Sequence, residues 1–527
     1  MDSSFTSDHH DELVFTEQGL KSGILPGRAF LGLYLATFIL RVGFSSTVVL
    51  IPLYLERHLH LGKNIFIWAA LVQSTYLVAE LLFAGYFGHK SDTGNTKKWL
   101  MWSMLIAMGV MFSYGLVYFE DTHIIVLPAI LMALYIAFIH FIHGIAAAAK
   151  VSPSIGYISR FSDYTNRAAR MGMYDSSVFL ARVVGVFVAG VLYSEWVGEK
   201  IIDGEHVPIN PEHIFWIYLI MAVVILIGYF VLKVSLYDTA PDIDEIELDD
   251  FSFLDELSTS FRELKDPDQR AMITPWLAMS TLLGLINSWL FFILSSGESA
   301  ESSAATVAVI GLGFGLPTIF WGFVADHIGR KRTLLIGVFG MVTFAMFLSL
   351  FALTGMLELE NLNESFLSSP LMMISLTVPF LMISAFPPSI MGRLGDSSEI
   401  DEQSHRATSG HSSTMSLYHV VIAVGELGGL AIGGIALTIV FMVDYKNWGA
   451  AFVVIVVLIG ILLIATALTA FSLPSDEEFI KKRSSIGLFE IAFTQSEKID
   501  YEEMNEKEAL VDDEHSEEKS KKIEDYR

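Results

Sequence analysis

A chain of 527 residues, 53% hydrophobic and only 17% charged, with a mean hydropathy of +0.53, is too apolar for an ordinary soluble fold, in which roughly 25% of residues are charged. A formal charge of −25 argues against nucleic acid as a partner, and the lack of cysteine excludes disulfides, a thiol nucleophile and a Cys-ligated metal site. The chain reads as an integral membrane protein.

Residues 1–28 are polar and acidic without a signal-peptide pattern, so this tail is expected to stay in the cytoplasm. Apolar runs near the ~20 residues that span a hydrocarbon core then begin near Ala29, Ile65, Trp99, His123, Gly172 and His213, making a first bundle over 29–233. A charged insert over 234–270 follows as an acidic linker, in which 253–264 suits a short amphipathic helix on the bilayer surface. Six further runs begin near Ala271, Ala304, Thr333, Pro370, His411 and Asn447, making a second bundle over 271–473. The remaining tail, 474–527, is acidic; 479–493 suits an interfacial helix, and the composition of 496–527 points to disorder. The pattern predicts an all-α membrane protein of about twelve spanning helices in two pseudo-symmetric six-helix bundles that face a central site.

Cations test the topology independently. Lys90, Lys97, Lys98, Lys150, Arg167, Arg330, Lys331, Arg332 and Arg393 fall on the side of the two tails, whereas the other side holds only Arg57, Lys63, Lys200 and Lys446. The positive-inside bias therefore assigns both termini and the linker to the cytoplasm.

A charged side chain inside a span costs roughly 2.5–3.5 kcal/mol on insertion scales unless it faces protein or water. Arg41, Glu80, His140, His143, Arg182, His419 and Glu426 lie inside spans, so each is a candidate for substrate binding or coupling. Tyr34, Thr37, Arg41 and Ser45 share one face of the first helix, and Gln73, Tyr76 and Glu80 one face of the second. Ser280, Asn287 and Trp289 on the seventh helix, with Thr377 and Ser384 on the tenth, offer hydrogen bonds and an aromatic platform. Structural readings stand beside these: a neutral histidine bonded between helices, or Glu80 or Glu426 held in an ion pair with Arg41 or Arg182. Pro387-Pro388 is expected to break the tenth helix near its inner end, and to end it there in preference to forming a gate.

Two loops between apolar runs repeat a pattern. The first is Gly88-His-Lys-Ser-Asp92-Thr93-Gly94-Asn95-Thr96-Lys97-Lys98, and the second is Gly322-Phe-Val-Ala-Asp326-His327-Ile-Gly329-Arg330-Lys331-Arg332. Glycine permits close helix approach, and an aspartate near the start of another helix accepts its unpaired N–H groups and complements its dipole. The spacing resembles the Gly-x-x-x-Asp-(Arg/Lys)-x-Gly-(Arg/Lys)-(Arg/Lys) loop of the major facilitator superfamily, although the first copy has Thr93 in the cation slot and a shifted glycine.

Ile136-x-x-x-His140-Phe-Ile-His143-Gly144 is similar to the same family's Leu-x-x-x-Arg-x-x-Gln-Gly pattern, with His140 in the slot of an arginine linked to proton transfer. Arginine stays charged, whereas histidine titrates between pH 5 and 8. Ala181-Arg182-Val-Val-Gly185-Val186-Phe-Val-Ala189-Gly190 resembles the antiporter pattern without its proline, and Gly425-Glu426-Leu-Gly428-Gly429 is related to it. The resemblance implies that the first, fourth, seventh and tenth helices line a cavity. Arg41 and His140 would then lie on lining helices, and Glu80, Arg182, His419 and Glu426 on flanking ones. It also implies that Gly88, Asp92, Lys97, Lys98, Gly322, Asp326, Gly329, Arg330 and Lys331 latch the cytoplasmic side.

No Walker loop, His-Glu-x-x-His pair or dinucleotide loop is present. The chain is therefore expected not to be an enzyme, and to need neither cofactor nor resident metal. The expected activity is secondary active transport of a small organic solute by alternating access, by a monomer in the lipid bilayer of the cell membrane. Protons are the expected coupling partner, and efflux of drugs or metabolites is one direction. Two embedded arginines keep organic-anion uptake or facilitated diffusion open. A non-transporting sensor or scaffold signalling through the acidic tails is the reading from another class, and a membrane-embedded enzyme a distant third.

Overall fold

The apolar runs that the structure describes fold as helices close to where their hydropathy places them. The structure, a computed structural model, describes residues 26–57, 59, 65–117, 129–202, 205–236, 272–285, 300–353, 370–403, 411–443, 466, 470–471 and 473–478. The expected linker helix at 253–264, the interfacial helix at 479–493, the terminal tails, most of the twelfth run, and Asn287 with Trp289 lie outside them.

The first half contains α1 (Pro26–Arg57), α2 (Ile65–Asp92), α3 (Thr96–Leu116), α4 (Ala129–Arg160), α5 (Arg167–Leu192) and α6 (His213–Ser235). All six are long and apolar enough to cross a membrane. Pro26 opens α1, where its missing N–H is not needed, and Asn95 caps α3 by accepting the Lys98 N–H. After α5 the chain makes a π-helical turn, Tyr193–Val197. A short antiparallel hairpin of β1 (Glu199–Ile202) and β2 (Glu205–Pro208) then leads to α6.

The second half contains α7 (Met272–Leu285), α8 (Ala300–Ile328), α9 (Arg330–Leu353), α10 (Pro370–Ile383), α11 (Phe386–Gln403) and α12 (His411–Val443). Gly329 alone joins α8 to α9, at φ 100°. That left-handed conformation favours glycine. α10 and α11 together occupy the tenth apolar run.

Within the first half α1 packs on α5 and α6, α2 on α4, and α3 on α4 and α6. The two halves meet where α2 packs on α12 and α5 on α8. Leu31, Phe138, Phe230, Phe320 and Phe339 stay exposed, as side chains facing lipid should. In lipid there is little hydrophobic drive between helices, so close backbone approach supplies the packing. A Cβ on Gly172 of α5 would lie 2.7 Å from the Thr318 carbonyl oxygen of α8, so glycine there allows the contact.

Two expectations need correction. Pro387-Pro388 does not end the tenth helix near its inner end: the break falls at 384–385, and helix resumes at Phe386 and runs to Gln403. The prolines occupy its first turn, where no intrahelical donor is lost. Lys150, counted among the cations on the tail side, lies inside α4, which runs on to Arg160 and leaves it 1% exposed. α5 begins at Arg167 rather than near Gly172, which draws Asp175 two turns into the helix.

Candidate functional site

Polar residues concentrate in two layers where the halves meet. The first lies at the end that carries the two repeated loops. Asp92, the last residue of α2, accepts the backbone N–H groups of Ser412 and Ser413, at 2.8 and 2.7 Å, and the Ser413 hydroxyl at 2.6 Å. It thereby caps α12 of the other half. Asp326 near the end of α8 accepts the N–H groups of Ala168 and Ala169, at 3.2 and 2.8 Å, and caps α5 in turn. The first four N–H groups of a helix have no internal partner, and its dipole favours an anion there.

Each paired glycine explains how its aspartate arrives. A Cβ on Gly88 would lie 2.7 Å from the Ser412 carbonyl oxygen, and one on Gly322 would lie 2.6 Å from that of Ala168. The same spacing thus performs the same docking twice, across the interface in opposite directions.

Ion pairs reinforce this layer. Arg167 of α5 contacts Asp396 of α11 at 2.7 Å, and Arg330 contacts Asp396 at 3.0 Å and Asp326 at 3.1 Å. Gly395 leaves room for the Arg167 side chain, since a Cβ there would lie 2.5 Å from its Cδ. The cations also hold helix exits: Lys97 donates to the Leu236 carbonyl after α6 at 2.6 Å, and Lys331 donates to that of Leu473. Asp476 accepts from Arg393 at 3.1 Å. Lys98 instead gives its backbone N–H to the Asn95 cap. His411, opening α12, is bonded at one ring nitrogen by Ser159 of α4 and Ser398 of α11, at 3.0 and 2.8 Å.

The second layer lies deeper. His419 of α12 faces Glu80 of α2 at 3.5 Å, and the hydroxyl of the preceding Tyr418 donates to Asp175 of α5 at 3.3 Å. Trp276 of α7 stacks on Tyr418 with ring centroids 4.6 Å apart and donates to its carbonyl at 3.2 Å. Arg41 donates to the Tyr76 hydroxyl at 3.2 Å. Glu426 is buried and interacts electrostatically with Arg182, Glu80 and Arg41. Arg182 is half-buried, with its guanidinium 5.8 Å from the Phe179 ring.

His140 and His143 form a separate cluster in the first half. The Tyr114 hydroxyl bonds Nδ1 of His140 and lies 3.4 Å from Nδ1 of His143, while Nε2 of His140 faces Gln73 Oε1 at 3.3 Å. His143 packs its ring 3.7 Å from that of Phe44, and its Nε2 has no hydrogen-bond partner among the described residues.

The site-residue expectations thus divide. Arg41, Glu80, Arg182, His419 and Glu426 come together in one region spanning both halves, and His140 with His143 sits beside it. Glu80 pairs with His419 rather than with either arginine. Thr37, Ser45, Ser280 and Ser384 bond backbone carbonyls of their own helices instead of a shared centre, and Thr377 is exposed. Asn287 lies outside the described residues. Asp175, Tyr114, Tyr418 and Asp396 were missed. Their signal was an ionisable or hydroxyl-bearing side chain on an otherwise small or apolar face, visible once the helix starts are fixed. Among the described residues no group of three or more His, Asp or Glu is arranged to hold a metal ion.

A family model described as Major Facilitator Superfamily matches residues 33–408. Among solved structures, the human organic anion transporter MFSD10 (TETRAN) aligns with a TM-score of 0.60 at 13% identity, covering 84% of this chain and 100% of that one. The proton:xylose symporter XylE bound to 6-bromo-6-deoxy-D-glucose aligns with a TM-score of 0.56 at 12% identity, covering 86% and 97%. No curated protein sequence matches the chain. At such identities the structural likeness shows the fold alone.

Proposed function

The chain belongs to the major facilitator superfamily, a family of multi-pass membrane transporters, and on that premise we propose that it moves a small organic solute by alternating access with proton coupling. One observation carries this reading: ionisable groups from opposite halves meet deep in the bundle, Glu80 with His419 and Asp175 with Tyr418. Rocking of the halves separates such pairs, and each separation exposes a carboxylate or imidazole to water and to its proton. A solute and a proton thereby compete for, or share, the same contacts.

The capped loop end is the closed gate of this cycle. Its cation-rich loops support a cytoplasmic position, with both termini inside and the protein in the cell membrane. The structure then corresponds to the state whose inner gate is shut. The pattern around Gly185, whose backbone packs directly on Val42 of α1, serves helix packing and gives no direction, so efflux and uptake are equal options. The protein acts as a monomer in this reading, because each chain carries both halves of the site.

The experiment is solute counterflow in proteoliposomes, using a labelled compound found by thermal-shift screening. Accumulation driven by an imposed proton gradient, lost in Glu80→Gln while gradient-free counterflow persists, supports coupling. Flux insensitive to the gradient in both proteins rejects it. Counterflow should persist after deletion of 496–527; no counterflow of any solute by the full-length chain, with a bound partner lost on that deletion, would instead favour a non-transporting scaffold.

A further inference from the structure

Lys150 belongs to neither layer's pairing. It lies in α4 with 1% of its surface exposed, and its ammonium donates to the Ser154 hydroxyl at 2.9 Å. That hydroxyl returns to the Lys150 carbonyl at 2.6 Å, so the bond is confined to one turn of one helix. No described carboxylate lies within ion-pair distance of Lys150 or of Arg41. Of the deep carboxylates, Glu80 faces His419 and Asp175 accepts from Tyr418, while Glu80, Asp175 and Glu426 reach Arg41 electrostatically and none of them reaches Lys150.

The two cations stand on helices that touch each other. Phe44 and His143 are in ring contact at 3.7 Å, which fixes the relative height of α1 and α4. Arg41 is three residues and Lys150 seven residues from that contact toward the loop end, so they are offset by about 6 Å along the bundle at ~1.5 Å per residue. Arg41 is an electrostatic neighbour of Lys150. His143, whose Nε2 has no partner among the described residues, stands on the same face of α4 as Lys150 at a seven-residue interval.

Like charges on touching helices repel, and each has lost its water. A bound anion removes both penalties. Arg41 offers a planar fork and Lys150 a compact ammonium with donors to spare, which suits one carboxylate shared between them.

The geometry points to an anion subsite formed by Lys150 and Arg41 that takes the carboxylate of an organic acid, making the transported solute an organic anion. This rests on the transporter reading above and names its substrate class. Ser154 positions the Lys150 ammonium, and the Phe44, Tyr76 and His143 rings beside the pair offer an apolar and aromatic surface to the rest of the acid.

The test is binding to purified full-length protein in nanodiscs, read by thermal shift with benzoate, succinate and inorganic phosphate at millimolar concentration, and with benzylamine as the cationic counterpart. The expected result is saturable stabilisation by at least one anion, none by benzylamine, at least about tenfold weaker anion binding in Lys150→Met, and near-wild-type binding in Lys150→Arg. Stabilisation by none of the anions, equal stabilisation by benzylamine, or unchanged anion binding in Lys150→Met overturns the proposal. Should Lys150→Met fail to fold, Arg41→Gln supplies the same comparison. An uncharged solute that counterflows in proteoliposomes while no anion binds removes the subsite and leaves the transporter. The converse, anion binding without counterflow of any solute, removes the transporter reading instead.

Discussion

Asp92 of α2 holds the first turn of α12 by the backbone of Ser412 at 2.8 Å, across an interface between two halves of one chain. Asp326 does the same to α5 at Ala169, at 2.8 Å. Two caps of opposite direction on one interface make a reversible fastening, because a carboxylate and an exposed helix start are each well solvated once parted. Capping interactions are worth about 1 kcal/mol each, so the fastening biases a two-state equilibrium without locking it.

Asp92→Asn and Asp326→Asn should each open the loop end by about fivefold in population, the factor that about 1 kcal/mol supplies. The chain has no cysteine, so a single thiol introduced at Ser159 reports access. Maleimide labelling of Ser159→Cys should accelerate in either variant, and an unchanged rate in both would show that the caps do not hold this end.

Asp396 serves two arginines, Arg167 at 2.7 Å and Arg330 at 3.0 Å. Asp396→Ala leaves two buried cations without this partner and should cost about 3–5 kcal/mol, the range for breaking a buried pair. Arg167→Ala leaves Asp396 still paired with Arg330 and should cost clearly less. Thermal unfolding of the purified variants checks the order, and a reversed order would contradict the shared-carboxylate arrangement.

Gly172 of α5 and Gly322 of α8 lie where a Cβ would meet the backbone of the opposing helix. Gly172→Leu should destabilise by about 1–3 kcal/mol or more through overpacking. Gly27→Leu, at a position with nothing nearby, should be near neutral. Detergent-solubilised melting curves compare them, and equal losses would remove the close-approach account.

Asp476 accepts from Arg393 and from the Lys331 backbone, tying the segment after the last span to the α8–α9 turn. Asp476→Ala should free this segment. Trypsin cleavage at the following Lys481-Lys482-Arg483 should then speed up several-fold with little change in global unfolding, whereas an unaltered digest would mean the tie is dispensable.

The two loops were readable from sequence because their chemistry is encoded in one dimension: a glycine, an aspartate four residues on, and a cation pair at the following helix. Helix starts near Ile65, His213, Pro370 and His411 were equally plain, since apolar content changes sharply there. Partners across the interface were not. Glu80 meets His419 because of the register between α2 and α12, which no local pattern carries, so an arginine looked the better mate. Lys150 and Asp175 were hidden by helix length: hydropathy marks the apolar stretch, while α4 and α5 extend as regular helix well past it through small and polar residues. Pro387-Pro388 was ambiguous for a similar reason, as proline ends a helix or begins one depending on which side the turn falls.

The central claim is that this closed end must open for transport, and a disulfide across it tests that most directly. Ser159 and Ser398 bond the same ring nitrogen of His411 from opposite halves, so the double variant Ser159→Cys/Ser398→Cys places two thiols in a chain that otherwise has none. Oxidation should abolish solute counterflow in proteoliposomes and reduction restore it, with either single variant unaffected. Counterflow that continues undiminished with the crosslink demonstrably formed would contradict the account.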